Sequence, residues 1–338
     1  MVKIAFQEVT KQYPGSNIPA VDAVTFDVQE GSICMLLGTS GSGKTTLLRM
    51  VNRLIEPTSG KILIDGHNIL QEDPIALRRR IGYVIQQVGL FPHMNIAENI
   101  RVTAQITGWS KPRMAERVDE LLRLVDMDPA QYRARFPRQL SGGQQQRIGL
   151  ARALTIDPAI LLMDEPFGAL DAITRERMQG ELLRIQRGVR KTILFVTHDV
   201  EEAFRIGDQI AVMSEGKLVQ IGTPIEILLH PANEFVNKLV GADSMLRQLQ
   251  YLPVSSAMEP AENGALARQE YAHCSSSDPL LQALLRLIET NTPALDVYDE
   301  HTQEHIGYVS LASINREITS ARSFEKSTRE ETKIESSL

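Results

Sequence analysis

The chain has 338 residues, of which 43% are hydrophobic and 23% charged, and its 36 Lys and Arg against 42 Asp and Glu leave a net charge of −6. This length predicts two domains, and the composition excludes a fully disordered chain. The acidic balance argues against nucleic acid as a partner, because affinity for a phosphate backbone comes from clustered Lys and Arg. No apolar run is long enough to cross a bilayer, no secretory signal is visible, and two cysteines make no disulfide framework. We therefore expect the chain in the cytoplasm.

Short apolar runs alternate with amphipathic segments over residues 1–240. Runs of this kind, buried on both faces and separated by helices, indicate a parallel α/β sheet. The elements that we predict in chain order are strand Ile33–Leu37, helix Lys44–Leu54, strand Lys61–Ile64, strand Ala159–Met163 and strand Thr192–Val196.

The region 89–157 is different, because its periodicity is helical throughout. Apolar residues recur at one face of a helix, as in Met114, Val118, Leu121, Leu122 and Val125. We interpret this region as a helical insertion in the α/β domain.

A domain boundary is expected near Gly241, and the residues after it have a mixed pattern. Ser275–Asp278 is expected to start a helix, with Asp278 as its N-cap and Pro279 at the first helical position. Its apolar face would contain Leu280, Leu284, Leu287 and Ile288, and two strands, Ala294–Tyr298 and Ile306–Ser310, would follow it. Residues 319–338 are charged and rich in Ser and Thr, so we expect a disordered tail.

A phosphate-binding loop is the strongest motif of the chain. It matches G-x-x-x-x-G-K-[ST] and stands between a predicted strand and a predicted helix. Its glycines let backbone N–H groups surround a phosphate, Lys44 would reach the β- and γ-phosphates, and the Thr45 hydroxyl would coordinate Mg²⁺. The nucleotide-binding candidates here are Gly38, Thr39, Ser40, Gly41, Ser42, Gly43, Lys44, Thr45 and Thr46.

An acidic pair, Asp164-Glu165, follows the predicted strand that ends at Met163. Asp164 is the candidate to hold Mg²⁺, and Glu165 could polarise the attacking water. A GTPase is disfavoured, because Asn237-Lys238 is not followed by the x-Asp of a guanine-binding motif. A small-molecule kinase needs no second phosphate-binding motif, and this chain has one.

That second motif is Leu140-Ser141-Gly142-Gly143-Gln144-Gln145-Gln146-Arg147, ahead of a helical run. Ser141 can cap the helix, so the helix N-terminus is a second anion site. Together with the phosphate-binding loop, this string makes residues 1–241 resemble the ATP-binding subunit of an ABC transporter. The resemblance implies a P-loop (RecA-like) core with an antiparallel β subdomain, ATP and Mg²⁺ as ligands, and a homodimer that holds each ATP between the loop of one protomer and Ser141, Gly142, Gly143 and Gln144 of the other.

Further site residues come from the same resemblance. Tyr13 would stack on adenine, and Gln86 would contact the γ-phosphate and the metal. Asp171 would lie at the dimer interface, and His198 would contact the γ-phosphate. The catalytic residues it implies are therefore Glu165, His198, Gln86 and Lys44, and the metal ligands are Thr45, Gln86 and Asp164.

Two further sequence segments indicate which class of ABC transporter the chain resembles. Leu90-Phe91-Pro92-His93-Met94 resembles importer ATPases, and Met50–Gly60 is similar to importers of quaternary-amine osmoprotectants such as glycine betaine, carnitine, choline and proline betaine. The partners implied are integral membrane permease subunits and, indirectly, a periplasmic or extracellular substrate-binding protein. The resemblance therefore implies that the chain lies peripherally at the cytoplasmic face of the inner membrane. An importer for polyamines or amino acids, and a soluble ABC ATPase outside transport, stay open as alternatives.

The C-terminal region 242–318 resembles a single cystathionine-β-synthase-type (CBS) unit, a small α+β domain. The resemblance lies in Asp296–Glu300 and Ile306–Ile314. We expect this unit to pair with its copy in the dimer and to regulate transport. A degenerate domain that only supports dimerisation stays open as the alternative.

Overall fold

The computed structural model describes residues 2–85, 89–168, 170–242, 244–260 and 272–317. Two compact units divide the chain, residues 1–224 and 225–338. Within the described ranges, no helix is both long and apolar enough to cross a membrane.

The described residues of the first unit form ten strands. They are β1 (Val2–Lys11), β2 (Val21–Gln29), β3 (Ile33–Gly38), β4 (Ser59–Ile64), β5 (His67–Asn68), β6 (Ile81–Val84), β7 (Ile160–Asp164), β8 (Thr192–Thr197), β9 (Gln209–Ser214) and β10 (Lys217–Gly222).

A six-stranded sheet with the order β10-β9-β3-β8-β7-β6 forms the centre of the first unit. The neighbours from β9 to β6 pair in parallel, and β10 is an antiparallel edge strand. Every residue of β3, β7 and β8 is buried, which explains why their sequences are continuous apolar runs. The predicted parallel sheet is confirmed, and the carboxyl ends of β3, β7 and β8 meet at one edge.

A second, antiparallel sheet has the order β2-β1-β4-β5. Buried and exposed residues alternate along β2, because one face of this sheet packs on the core and the other faces solvent. Phe6 of β1 stacks on Phe26 of β2 with ring centroids 4.5 Å apart. Side chains of both sheets join one apolar cluster, which includes Leu36 and Leu47 beside the phosphate-binding loop.

Among the described residues, eight α-helices lie wholly within the first unit. They are α1 (Lys44–Val51), α2 (Pro74–Arg79), α3 (Ile96–Ile106), α4 (Lys111–Leu124), α5 (Pro129–Tyr132), α6 (Gly142–Ala153), α7 (Ala172–Val189) and α8 (Val200–Ile206).

The described residues from Gly89 to Asp157 form helices and turns. The expected apolar face of α4 is buried at Met114, Val118, Leu121 and Leu122. The helix α1 ends at Val51, three residues before the predicted end, because Arg53 adopts a left-handed backbone with φ 47°.

The described residues of the second unit form further helices and strands. They are α9 (Pro224–Leu229), which begins at the last residue of the first unit, α10 (Glu234–Val240), α11 (Met245–Tyr251), β11 (Glu259–Pro260), β12 (His273–Ser275), α12 (Leu280–Thr290), β13 (Ala294–Tyr298), β14 (His305–Ser310) and a final helical stretch, 311–317.

The sheet of this unit has the order β11-β14-β13-β12 and packs on the buried stripe Leu280, Ala283 and Leu287 of α12. Leu229 of α9 packs on the same cluster. This contact explains why the structural division follows Pro224, whereas the sequence placed the boundary near Gly241.

Three predictions about α12 are wrong in detail. Pro279 is the N-cap rather than the first helical residue. The Asp278 carboxylate accepts from the Ser275 backbone instead, at 2.9 Å, because Ser275 ends β12. Ile288 is 63% exposed, so it does not belong to the buried face.

Candidate nucleotide-binding site

The phosphate-binding loop joins the end of β3 to the start of α1 as predicted. Gly43 is the residue before α1 and has φ 98°. A Cβ at this position would lie 2.4 Å from the backbone oxygen of Ala20, so only glycine fits without displacing the chain. The first N–H groups of α1 therefore open into the loop, where they can bind an anion.

The Lys44 ammonium lies inside this loop. Its Nζ donates to the backbone oxygens of Gly38 at 2.8 Å and Thr39 at 2.7 Å, and to the Ser42 hydroxyl at 3.2 Å. Burial lowers the pKa of Lys44, while the neighbouring carboxylates of Glu165 and Asp164 oppose this shift. A cation held in this position can pair with phosphate oxygens.

Asp164, at the end of β7, meets the start of α1. Its Oδ1 accepts from the Thr45 hydroxyl at 2.9 Å, and its Oδ2 lies 3.7 Å from Nη2 of Arg49. Burial raises the pKa of Asp164, against the opposing effects of the Thr45 hydrogen bond and of Arg49. A hydroxyl and a carboxylate at this spacing are the oxygen ligands that Mg²⁺ prefers, so the residues fit this metal.

Glu165 and His198 follow the neighbouring strands β7 and β8. The Glu165 backbone is left-handed, with φ 43°, and its N–H donates to the oxygen of Val196 at 3.0 Å. Its Oε1 lies 3.2 Å from Nδ1 of His198, whose side chain is 61% exposed. A carboxylate and an imidazole thus face the same space beside the loop, where a proton could be accepted and relayed.

Tyr13 also belongs to this part of the site. Its ring is 40% exposed, and its hydroxyl lies 3.5 Å from the hydroxyl of Thr46 in α1. The Lys11 ammonium is 5.5 Å from the ring centroid. An exposed ring beside the loop offers a flat apolar surface of the kind on which a base stacks.

The second phosphate-binding motif starts α6. The Ser141 hydroxyl accepts from the Gln144 N–H at 3.3 Å, and the Gln144 side chain accepts from the Ser141 N–H at 3.0 Å. This capping box fixes the start of the helix, where the N–H groups outside the box can bind an anion. Gly142 and Gly143 are the first two residues of the helix.

Asp171 caps α7 beside this motif. Its carboxylate accepts from the Thr174 N–H at 3.0 Å, and the hydrogen bonds with Thr174 lower its pKa. A Cβ on Gly143 would lie 2.9 Å from Cγ2 of Thr174, so the starts of α6 and α7 are in close contact.

The predicted residues therefore form two groups. The first contains Tyr13, the loop, Asp164, Glu165 and His198, and the second contains the start of α6 with Asp171. Among the described residues, the hydrogen bonds of Ser141 stay within its own helix turn. Gln86 lies outside the described residues.

The comparisons with known proteins agree with this geometry. The model of the family "ABC transporter" matches residues 21–168. The glycine betaine/carnitine/choline transport ATP-binding protein OpuCA of Bacillus subtilis is 45% identical over 93% of this chain and 80% of its own length. The chain belongs to the ATP-binding subunits of ABC transporters.

Two further members of this ABC family are informative. The osmoprotectant import ATP-binding protein OsmV of Salmonella typhimurium is 51% identical over 73% of this chain and 65% of its own length. The dimeric, post-hydrolysis structure of the ATP-binding cassette MJ0796, bound to ADP and Pi, is 33% identical, with a TM-score of 0.59 over 65% of this chain and 98% of that one. The expected P-loop ABC core and the expected ATPase class are thereby confirmed.

Several side chains of the ABC core were not predicted from sequence. Asn99 is fully buried, accepts from the Phe91 N–H at 2.7 Å and donates to three backbone oxygens, including that of Met94 at 3.0 Å. Arg147 forms a buried ion pair with Glu181 of α7. The only sequence signal for either was a polar residue on an otherwise buried helix face.

Proposed function

We propose that this chain is the ATP-hydrolysing subunit of an ABC importer for quaternary-amine osmoprotectants such as glycine betaine, carnitine and choline. The observation that supports this most directly is the 45% identity, over 93% of the chain, to an ATP-binding protein named for these three compounds. The relative named for osmoprotectant import supports the same substrate class.

The chemistry follows from the first group of residues. Backbone N–H groups of the loop and Lys44 bind the β- and γ-phosphates and neutralise their charge, while Tyr13 receives the adenine. Glu165 accepts the proton of the attacking water, and His198, 3.2 Å away, orients that carboxylate and contacts the γ-phosphate. Positioning and charge neutralisation account for most of the rate enhancement, since phosphoryl transfer requires little covalent chemistry from the protein.

Thr45 and Asp164 would hold Mg²⁺, with Gln86 as the further ligand implied by the family. The chemistry that Mg²⁺ would supply there when bound is neutralisation of the phosphate charge. The 2.9 Å contact between the Thr45 hydroxyl and Asp164 supports the first two assignments.

A homodimer would complete the site. The start of α6 presents a capped helix N-terminus, and the described hydrogen bonds of Ser141 do not reach the loop of its own chain. We infer that Ser141, Gly142, Gly143, Gln144 and Asp171 of one protomer close the ATP site of the other. The dimeric state of the similar cassette MJ0796 supports this arrangement.

The remaining assignments concern partners. The segment Leu90–Met94, fixed by Asn99, would receive a helix of an integral permease subunit, which would place the chain at the cytoplasmic face of the inner membrane. A substrate-binding protein would deliver the osmoprotectant to that permease. The CBS-type assignment of residues 242–318 stays a prediction, as does its role in regulation.

Uptake of radiolabelled glycine betaine tests the substrate class. Deleting the chain from its own cell is expected to abolish high-affinity uptake, and expression of the wild-type chain is expected to restore it, whereas Lys44→Ala is not. Putrescine uptake, measured in the same cells, serves as the control substrate. Unchanged betaine uptake in the deletion strain, or a loss confined to putrescine, would refute the proposal.

Cysteine crosslinking tests the dimer. Ser40→Cys and Ser141→Cys in one chain should form a disulfide between protomers when ATP is trapped by Glu165→Gln. Burial raises the pKa of Cys34 to about 12 and of Cys274 to about 11, so the native thiols will react slowly. The variants Ser40→Cys and Ser141→Cys, each made alone, are the controls. A double variant that never crosslinks between protomers would contradict the shared site.

A further inference from the structure

A cavity of about 250 Å³ opens at the edge of the parallel sheet opposite the phosphate-binding loop. Its floor includes Ile81 and Ile160, the first residues of β6 and β7. The loop follows the carboxyl end of β3, which runs parallel to these strands through β8. We name this space the amino-edge cavity, and it is separate from the nucleotide site.

Three parts of the first unit surround the amino-edge cavity. Ile64 comes from β4 of the antiparallel sheet, Ile81 and Ile160 come from the parallel sheet, and Trp109 comes from the turn between α3 and α4. The Arg113 guanidinium stacks on the Trp109 ring, 3.5 Å from its centroid. Apolar walls and a flat ring suit a small ligand with a planar apolar body.

The charges at this cavity are mostly paired. Lys3, whose side chain is 10% exposed, lies 2.8 Å from Asp65. Asp157 lies 3.0 Å from Lys191. Paired charges of this kind leave little net field for a ligand.

The arginines at the end of α2 differ from each other. Arg80 donates to Glu72 at 2.6 Å. Arg79 also lines the cavity, and no carboxylate in the described part of the chain forms an ion pair with it. Since the other charged residues that line the cavity are paired, the excess charge of the lining is positive and lies on the planar Arg79 guanidinium, a group that can bind a carboxylate through two parallel hydrogen bonds.

We propose that the amino-edge cavity binds a small aromatic carboxylate, with its ring against Trp109 and the isoleucine walls and its carboxylate on Arg79. Because the antiparallel sheet, the parallel sheet and the α3–α4 turn all contribute walls, the bound molecule bridges parts of the ATPase unit that no single element connects. The bound molecule makes no contact with the phosphate-binding loop.

Fluorescence of the full chain tests this proposal, because Trp109 is its only tryptophan. Benzoate is the probe and benzamide is its neutral counterpart. We expect benzoate to change the Trp109 emission saturably, with one molecule bound per chain by calorimetry. Benzamide and the variant Arg79→Gln should each weaken binding by about tenfold or more, because both remove the two-point charged contact.

Two further variants sharpen the result. Ala159→Leu adds volume at an exposed lining residue and should abolish benzoate binding without affecting folding. Arg187→Gln removes an exposed arginine of α7 that does not line the cavity, and it should bind benzoate like the wild type. An excess of ATP should not displace benzoate.

Three outcomes would overturn the proposal. They are an emission that never saturates, equal affinity for benzoate in the wild type and Arg79→Gln, and displacement of benzoate by ATP. None of them bears on the proposed ATPase function, because that function is measured by phosphate release and uptake.

Discussion

The replacement Glu165→Gln removes the carboxylate that we propose accepts the proton of the attacking water. Glutamine has the size of glutamate and can keep a hydrogen bond to His198, 3.2 Å away. The backbone bond from residue 165 to Val196, 3.0 Å long, does not depend on the side chain. The variant should therefore fold and bind ATP like the wild type and lose only the ability to accept a proton.

The size of the effect follows from that loss. A positioned general base contributes about 10²- to 10⁴-fold to a rate, which corresponds to about 3–5 kcal/mol of activation free energy. We expect the kcat of Glu165→Gln for phosphate release to fall by this factor at saturating MgATP. Equilibrium binding of ATP, measured on the same preparation, should be unchanged or tighter, because nucleotide is no longer consumed.

A matched control is available on α7. Glu176 lies 2.9 Å from Arg205, and both side chains are exposed, so this ion pair contributes little. Glu176→Gln should hydrolyse ATP at the wild-type rate. If Glu165→Gln also keeps a kcat within about threefold of the wild type, the water is activated by another group and our assignment of the base is wrong.

Three further changes test other contacts. Arg147→Met should lower the free energy of unfolding of the first unit by about 3 kcal/mol, because it leaves the buried Glu181 carboxylate without its main partner. Urea denaturation measures this change, and the double variant Arg147→Met, Glu181→Leu should recover most of the lost stability. Burial raises the pKa of Glu202 above its ordinary 4.5, so the folded state binds more protons than the unfolded state. Stability therefore falls as pH rises from the pKa of the unfolded state to that of the folded state, and Glu202→Gln should raise the melting temperature at pH 7 but not at pH 4. Asn99→Ala should speed hydrogen exchange of residues 91–95 and lower uptake while ATP binding persists, since four hydrogen bonds are lost.

The parts of the site that the sequence predicted well are local. The loop that ends in Lys44 and Thr45 has a fixed spacing because its backbone must surround a phosphate, and the capping box of Ser141 and Gln144 spans only three residues. Asp164 could be placed from the buried strand before it. Such features depend on neighbours in the chain, so a single sequence contains the information.

The parts that it missed are contacts between distant residues. Arg147 and Glu181 are 34 residues apart and meet only because α6 packs on α7. The early end of α1 has a similar cause, since the Arg53 guanidinium donates to the Glu72 oxygen at 2.6 Å and stabilises a left-handed turn. At α12, a hydrogen bond from Ser275 uses the carboxylate that would otherwise cap the helix. No periodicity signals these partners.

The three hydrogen bonds of Lys44 to its own loop have a consequence for how mutants are read. The ammonium links Gly38, Thr39 and Ser42, so it helps to hold the curvature of the surrounding peptide. Truncating the Lys44 side chain therefore disrupts the phosphate-binding loop and also removes one group that binds the nucleotide. The affinity lost in an alanine variant measures both effects, and it overstates the strength of the direct ammonium–phosphate bond.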